Sequence, residues 1–149
     1  MTEATVFTAK ANGPDPVPFL AALIVAPLMI GAPSAAMIYL LSLMSEPPGL
    51  IMILLVFPVV ATGLGAPTYL LLGGPAFWVS LKNGHSIAPI AFVTNLASLP
   101  LVALAFAVMG GDPMTALAMF GVLGSVFAPL WGAIFQSLYE RFSGEKTDV

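Results

Sequence analysis

The chain has 149 residues, of which 59% are hydrophobic and only 7% charged, and its mean hydropathy is +1.02. Soluble domains carry about 25% charged residues, so this composition excludes a soluble protein and indicates an integral membrane protein with room for one domain. The chain contains only 4 Lys and Arg residues, too few for nucleic-acid binding, and it has no Cys for disulfides or thiolate metal sites.

Four charge-free apolar stretches follow one another along the chain, and each is long enough to cross roughly 30 Å of hydrocarbon. They cover residues 19–44, 50–72, 87–109 and 114–139, and polar tails precede and follow them at 1–18 and 140–149. An open sheet would leave backbone groups unpaired in lipid, and the short alternating segments of a barrel are absent. We therefore expect an all-α, four-helix bundle that forms a single transmembrane domain across 1–149.

The connectors predict how the spans are threaded. "SEPPG" (45–49) and "GGDP" (110–113) each combine an acid with Pro and Gly, so the chain must leave the hydrocarbon and reverse there. Basic residues are retained on the cytoplasmic side of a membrane. All four lie in the N-terminal tail, the connector 73–86 or the C-terminal tail, at Lys10, Lys82, Arg141 and Lys146. The sequence therefore predicts that both termini face the cytoplasm.

Prolines and small polar residues interrupt the spans. Six prolines lie mid-span, at Pro27, Pro33, Pro58, Pro67, Pro100 and Pro129. Each removes a backbone donor, so we expect kinks, which serve either structure alone or a broken-helix substrate site in "GLGAPTYLLLGGP" (63–75).

Polar side chains near the midplane are candidate interhelical contacts, at Ser34, Thr62, Asn95 and Ser98. The hydroxyls either line a common seam or bond to their own helices, whereas the Asn95 amide is expected to bond to another helix.

The connector 73–86 contains "FWVSLK" (77–82), which places Phe77, Trp78 and Leu81 on one helical arc. We expect a short segment at the headgroup level with Trp78 and Lys82 as interface anchors; the alternative is a docking element for a cytoplasmic partner. The single His of the chain, His85, lies in the same connector, so bis-histidine haem ligation is excluded. A polar loop position is expected for it, the alternative being contact with a neighbour's cofactor. The sequence predicts no cofactor or metal of its own.

The fourth span carries small residues on one helical face, at Gly121, Gly124, Ser125, Ala128 and Gly132. Such spacing lets helices approach closely in lipid. It indicates either packing inside the bundle or a surface that docks another membrane protein.

The segment "GAPTYLLLGGPAFW" (65–78), with Pro, Tyr, Gly-Pro and Trp leading from the second span into a basic connector, resembles a pattern in small four-span bacterial inner-membrane proteins that have no assigned function. The resemblance implies a bacterial inner-membrane location and no functional residue.

Function is predicted mainly by exclusion. No Asp, Glu, Lys, Arg or His falls in the hydrocarbon part of any span, although proton- or ion-coupled transport usually needs one there. No serine has a histidine and a carboxylate within plausible reach for hydrolysis. We expect a non-enzymatic accessory or scaffolding subunit of a larger membrane complex, such as an energy-transducing one, held through Gly124, Ala128 and Gly132. The alternative is a small oligomeric channel or transporter for an uncharged solute.

Overall fold

The computed structural model describes residues 13–44, 46 and 48–144 of the chain. Within these residues it is all-helical, without strands, and four of its helices are long and apolar enough to span a membrane. This confirms the prediction of an all-α fold with four helices able to span a membrane, as expected of a multi-pass membrane protein. In chain order the elements are α1 (Pro16–Ser42), α2 (Gly49–Thr68), a π-helical turn (Tyr69–Gly73), α3 (Gly74–Lys82), α4 (Ile87–Val108) and α5 (Pro113–Ser143).

Two aspartates begin helices. Asp15 accepts a hydrogen bond from the Val17 amide at 3.1 Å at the start of α1, and Asp112 accepts from the Thr115 amide at 2.9 Å at the start of α5. Each is followed by proline at the first helical position, where a missing N–H costs nothing. The Thr115 hydroxyl, then the Thr115 and Met114 amides, hold the pKa of the exposed Asp112 carboxyl below its usual range. Asp112 therefore caps a helix as well as marking a turn.

The second membrane helix is longer than the sequence predicts. We expected it to end at Leu72, but α2, the π-helical turn and α3 form one continuous helix from Gly49 to Lys82. Pro75 has no N–H to donate to the Leu71 carbonyl in α-helical register. In the preceding turn the Gly74 amide donates instead to the Tyr69 carbonyl, five residues back, so the helix passes the proline with one extra residue in that turn. The polar connector is thereby reduced to residues 83–86.

The helices pack unequally. The α4–α5 pair has the most extensive contact, while α1 packs against both α2 and α5. α2 packs mainly on α1, and its first half exposes a series of large apolar side chains, including Leu50, Ile53, Leu54 and Phe57. Lipid is as apolar as these side chains, so their exposure carries no penalty in a bilayer.

Aromatic rings form the core at one end of the bundle. Phe135 of α5 lies 5.3 Å from Phe19 of α1 and 5.2 Å from Phe77 of α3, measured between ring centroids. Phe77 and Phe135 are completely buried. Tyr69 then lies 5.3 Å from Phe77 and 5.4 Å from Trp131, which extends the ring contacts toward the middle of α5. This core joins the start of α1, the π-helical turn, α3 and the second half of α5.

Candidate binding cavity

The small-residue face of α5 is covered by α4. A Cβ atom added at Gly124 would lie 2.5 Å from Asn95 Cγ, and one added at Gly132 would lie 2.9 Å from Ala91 Cβ. Ala128, between them, is buried. Of the two interpretations of this face, these contacts favour packing inside the bundle, because the chain's own α4 already makes the close approach that the glycines permit. The remaining members of the face follow the same helix pair: Gly121 approaches Leu99, and the Ser125 hydroxyl donates to the Gly121 carbonyl of its own helix.

The predicted polar contacts separate into two places. On the α1–α2 side, the Thr62 hydroxyl donates across to the Pro27 carbonyl at 3.3 Å, and the Ser34 hydroxyl donates to Ile30 of its own helix at 2.9 Å. Thr62 also packs closely against Gly31: a Cβ atom added at Gly31 would lie 2.8 Å from Thr62 Cβ. Both of these hydroxyls are therefore away from the other two predicted polar residues, Asn95 and Ser98, and the four do not form one seam.

The other two predicted polar residues lie on α4 beside a cavity. Asn95 Nδ2 donates to the Phe120 carbonyl of α5 at 3.5 Å, and the Ser98 hydroxyl donates to the Asn95 carbonyl at 2.7 Å. Both Asn95 and Ser98 line the cavity, as do Thr68 and Thr94. The Asn95 amide thus joins α4 to α5 at one wall of a partly polar space.

This cavity has a volume of about 50 Å³ and lies between the second half of α2, the π-helical turn, α4 and α5. A volume of that size holds a few water-sized groups. Apart from the polar groups its wall is apolar, with Leu64, Phe120 and Phe127 among the lining side chains. α2 and α4 form opposite walls and make almost no direct contact with each other. The cavity is therefore a gap in the bundle where two helices stay apart.

Two buried polar atoms at the cavity wall have no hydrogen-bond partner. They are the Tyr69 hydroxyl and the Trp131 indole nitrogen, on side chains only 7% and 3% exposed. Both residues line the cavity. Most buried donors in proteins are paired, so two unpaired donors beside one cavity need a physical explanation.

Sequence reasoning gave neither residue a functional role. Tyr69 belongs to the segment 65–78 described above and lies near the end of the predicted span 50–72, where an aromatic residue is usual. Trp131 carried a signal that was not used: it lies eight residues before the predicted end of the fourth span at Tyr139. Tryptophan in membrane helices is enriched at the interfaces rather than within the span.

The connector residues 77–82 form the last part of a core helix. Phe77 is completely buried and Trp78 packs edge-on against Phe19 at 5.0 Å. The role of Trp78 and Lys82 as interface anchors stays a prediction. Lys82 is exposed in the last turn of α3, and His85 is exposed in the connector. Within the described part of the chain no three His, Cys, Asp or Glu residues come together as a metal site.

Comparisons with known proteins give no relative. No protein-family model, no curated protein and no solved structure matches this chain.

Proposed function

We propose that the protein binds a small uncharged molecule inside the membrane, in the cavity between α2, α4 and α5. The observation that carries this proposal is the pair of unpaired donors, Tyr69 and Trp131, at the wall of that cavity. Leaving a buried donor unpaired costs about 1–3 kcal/mol, and the hydrocarbon offers no water to supply the missing bond. A bound molecule with hydrogen-bond acceptors removes that cost.

The cavity wall favours an uncharged occupant. Every described residue that lines it is neutral, and between Phe19 and Tyr139 the charged side chains and His85 all lie at helix ends or in connectors. A charge placed there would have no counter-ion in a region of low dielectric constant. The mixture of hydroxyl, amide and apolar side chains fits a molecule that is apolar with a few polar atoms.

Filling the cavity tests the proposal. In Thr94→Phe the new ring would occupy the cavity, whereas Val93→Phe places the same ring at the adjacent, exposed position of α4. We expect 2-propanol, a small uncharged molecule with an acceptor oxygen, to raise the unfolding temperature of the wild type and Val93→Phe in lipid nanodiscs, saturably, and to leave Thr94→Phe unchanged. Equal shifts in all three proteins would show that the alcohol acts through the lipid and would refute binding in the cavity.

Transport of the uncharged molecule is a second candidate function. It is favoured by the π-helical turn, which interrupts the regular helix at the cavity beside Pro67, Gly73 and Pro75. Helices broken at Gly and Pro occur at the substrate sites of transporters, and π-turns are frequent at functional sites. The kinks expected at the interior prolines stay a prediction and would serve this function. Proteoliposome swelling in glycerol, compared between the wild type and Thr94→Phe, tests it; equal rates would exclude passage through the cavity.

The accessory-subunit hypothesis stays a prediction, but it has lost the surface on which it was based. Gly124 and Gly132 are engaged by α4, so a partner complex would have to bind elsewhere. Isolation from native membranes in mild detergent tests it: a subunit co-purifies with a fixed set of larger proteins, whereas purification of this chain alone contradicts the hypothesis.

For orientation we propose that both termini lie in the cytoplasm, in the inner membrane of a bacterium. The packing supports grouping the basic regions at one end. The Asp15 amide of α1 donates to the Tyr139 hydroxyl of α5, and the Ile87 amide of α4 donates to Gln136 of α5. The start of α1, the start of α4 and the end of α5 therefore meet at one end of the bundle. Lys82, in the last turn of α3, and Arg141, in the last turn of α5, lie at this same end.

Cysteine labelling tests the orientation without interference, because the chain has no Cys. Glu46→Cys and His85→Cys place single thiols at two exposed connector positions. We expect an impermeant maleimide added to intact cells to label Glu46→Cys at once and His85→Cys only after permeabilisation. The reverse pattern would invert the orientation.

A further inference from the structure

The ring contacts around Tyr69 and Trp131 hold the two unpaired donors in fixed positions. The two rings meet edge to face, with centroids 5.4 Å apart and planes at 78°. Tyr69 also contacts Phe77 at 5.3 Å, and Trp131 contacts Phe127 at 6.1 Å. The edge of the Trp131 ring also packs against Gly65: a Cβ atom added at Gly65 would lie 3.1 Å from Trp131 Cη2. Rings held on several sides can shift only slightly, so a partner has to bind close to where the two donors lie.

The chemistry of the two groups selects the complementary atom. An indole N–H is a donor only, and a tyrosine hydroxyl donates one hydrogen bond. A carbonyl oxygen has two lone pairs and accepts two hydrogen bonds, so one such oxygen satisfies both groups. Neither polar atom exposes surface that a water molecule could touch, in the cavity or outside it, so an accepting oxygen forms both bonds only with a small shift of the two ring edges toward the cavity.

The size of the cavity limits what it holds. A volume of about 50 Å³ accommodates a carbonyl group and its immediate substituent, but not a complete lipid-sized molecule. The remainder must extend out of the bundle. The gap between α2 and α4 provides that route, since the lining residue Leu64 is 42% exposed on the surface that faces lipid.

We propose that this cavity binds the head of a neutral, lipid-soluble carbonyl compound, whose oxygen accepts hydrogen bonds from the Tyr69 hydroxyl and the Trp131 indole while its hydrocarbon chain lies between α2 and α4 in the bilayer. This inference rests on the proposed binding function and specifies its ligand. It makes Tyr69 and Trp131 the groups that distinguish a carbonyl compound from a plain hydrocarbon.

The test compares 2-dodecanone with dodecane, which has a similar chain but no carbonyl group. Each is added to the full-length protein in nanodiscs, and the unfolding temperature and the infrared carbonyl stretch of the ketone are recorded. We expect the ketone to stabilise the wild type more than the alkane does, and its carbonyl band to gain a component at lower frequency from hydrogen bonding.

Conservative variants assign the effect to the two donors. Tyr69→Phe and Trp131→Phe each remove one donor and keep an aromatic ring, and we expect each to weaken ketone binding about tenfold, the effect of one hydrogen bond. Tyr39→Phe and Trp78→Phe are the matched controls. Tyr39 is 66% exposed, and neither residue lines the cavity. Both controls should bind the ketone like the wild type.

The outcomes separate this inference from the function on which it rests. Equal stabilisation by ketone and alkane, sensitive to Thr94→Phe, would keep binding in the cavity and overturn the carbonyl assignment. Ketone binding that Tyr69→Phe and Trp131→Phe leave unchanged would overturn it as well. No saturable effect of either compound, together with no effect of 2-propanol, would refute both proposals.

Discussion

The closest approach between α4 and α5 gives the sharpest test of the packing. In Gly124→Ala the new methyl group would lie 2.5 Å from Asn95 Cγ, well inside van der Waals contact, so the Asn95 amide has to move. Movement weakens its hydrogen bond to the Phe120 carbonyl, which is already long at 3.5 Å. Overpacking costs about 1–3 kcal/mol and an interhelical hydrogen bond in a membrane contributes about 0.6 kcal/mol.

The higher helix propensity of alanine opposes this loss of stability and has to be subtracted from it. Replacing Gly by Ala inside a helix is favourable by about 0.5–1 kcal/mol when there is space for the methyl group. Gly63 provides this reference, because a Cβ at that position meets nothing within 4 Å. We therefore expect Gly124→Ala to unfold about 2 kcal/mol more easily than Gly63→Ala, with Gly63→Ala equal to or above the wild type.

A double-mutant cycle identifies the cause. Asn95→Ala removes the side chain that the new methyl group meets, so Gly124→Ala should cost about 1–2 kcal/mol less in that background than in the wild type. Stabilities are measured by reversible unfolding in mixed micelles of increasing SDS fraction. If Gly124→Ala is as stable as Gly63→Ala, or if Asn95→Ala leaves its cost unchanged, the Asn95 contact does not set the helix spacing.

Three further predictions concern hydrogen bonds at other places in the bundle. Thr62→Val removes the bond to the Pro27 carbonyl and should cost about 0.6 kcal/mol in the same unfolding assay, whereas Thr62→Ser keeps the bond. Gln136→Leu leaves the buried Ile87 amide without an acceptor and should cost about 1–2 kcal/mol, a loss that Gln136→Glu should reduce because it keeps an acceptor oxygen. The pKa of Asp112 is lowered in the folded protein, so its contribution to stability is present above its ordinary pKa of about 3.9 and is lost as the pH falls through that value toward the folded pKa. The unfolding temperature of the wild type should therefore contain an acid-dependent decrease that Asp112→Asn lacks; identical pH profiles would contradict the cap.

The parts of the fold that the sequence predicts correctly depend on local signals. Charge-free apolar stretches of sufficient length mark membrane helices wherever they occur, and the acid, proline and glycine near Glu46 and Asp112 end them. The helix that passes Pro75 was missed because a proline beside two glycines normally ends a helix. Its continuation depends on the π-helical turn, and nothing in the order of residues distinguishes that turn from a break.

The cavity could not be predicted for a different reason. Small residues in α5 predicted a close helix contact, but a pattern on one helix does not identify the partner helix. In the folded chain α4 packs against α5 at Gly124. α2 makes almost no contact with α4, and the space beside Tyr69 and Trp131 lies between them. The close approach of α4 to α5 and the gap beside it are thus two results of one packing arrangement, and Asn95 and Gly124 lie at the border between them. Substitutions that separate α4 from α5, such as Gly132→Ala, should therefore change ligand binding as well as stability. The methyl group at Gly132 would meet the Ala88 backbone at 3.1 Å, so trimming a side chain cannot relieve it and α4 itself has to move relative to the cavity.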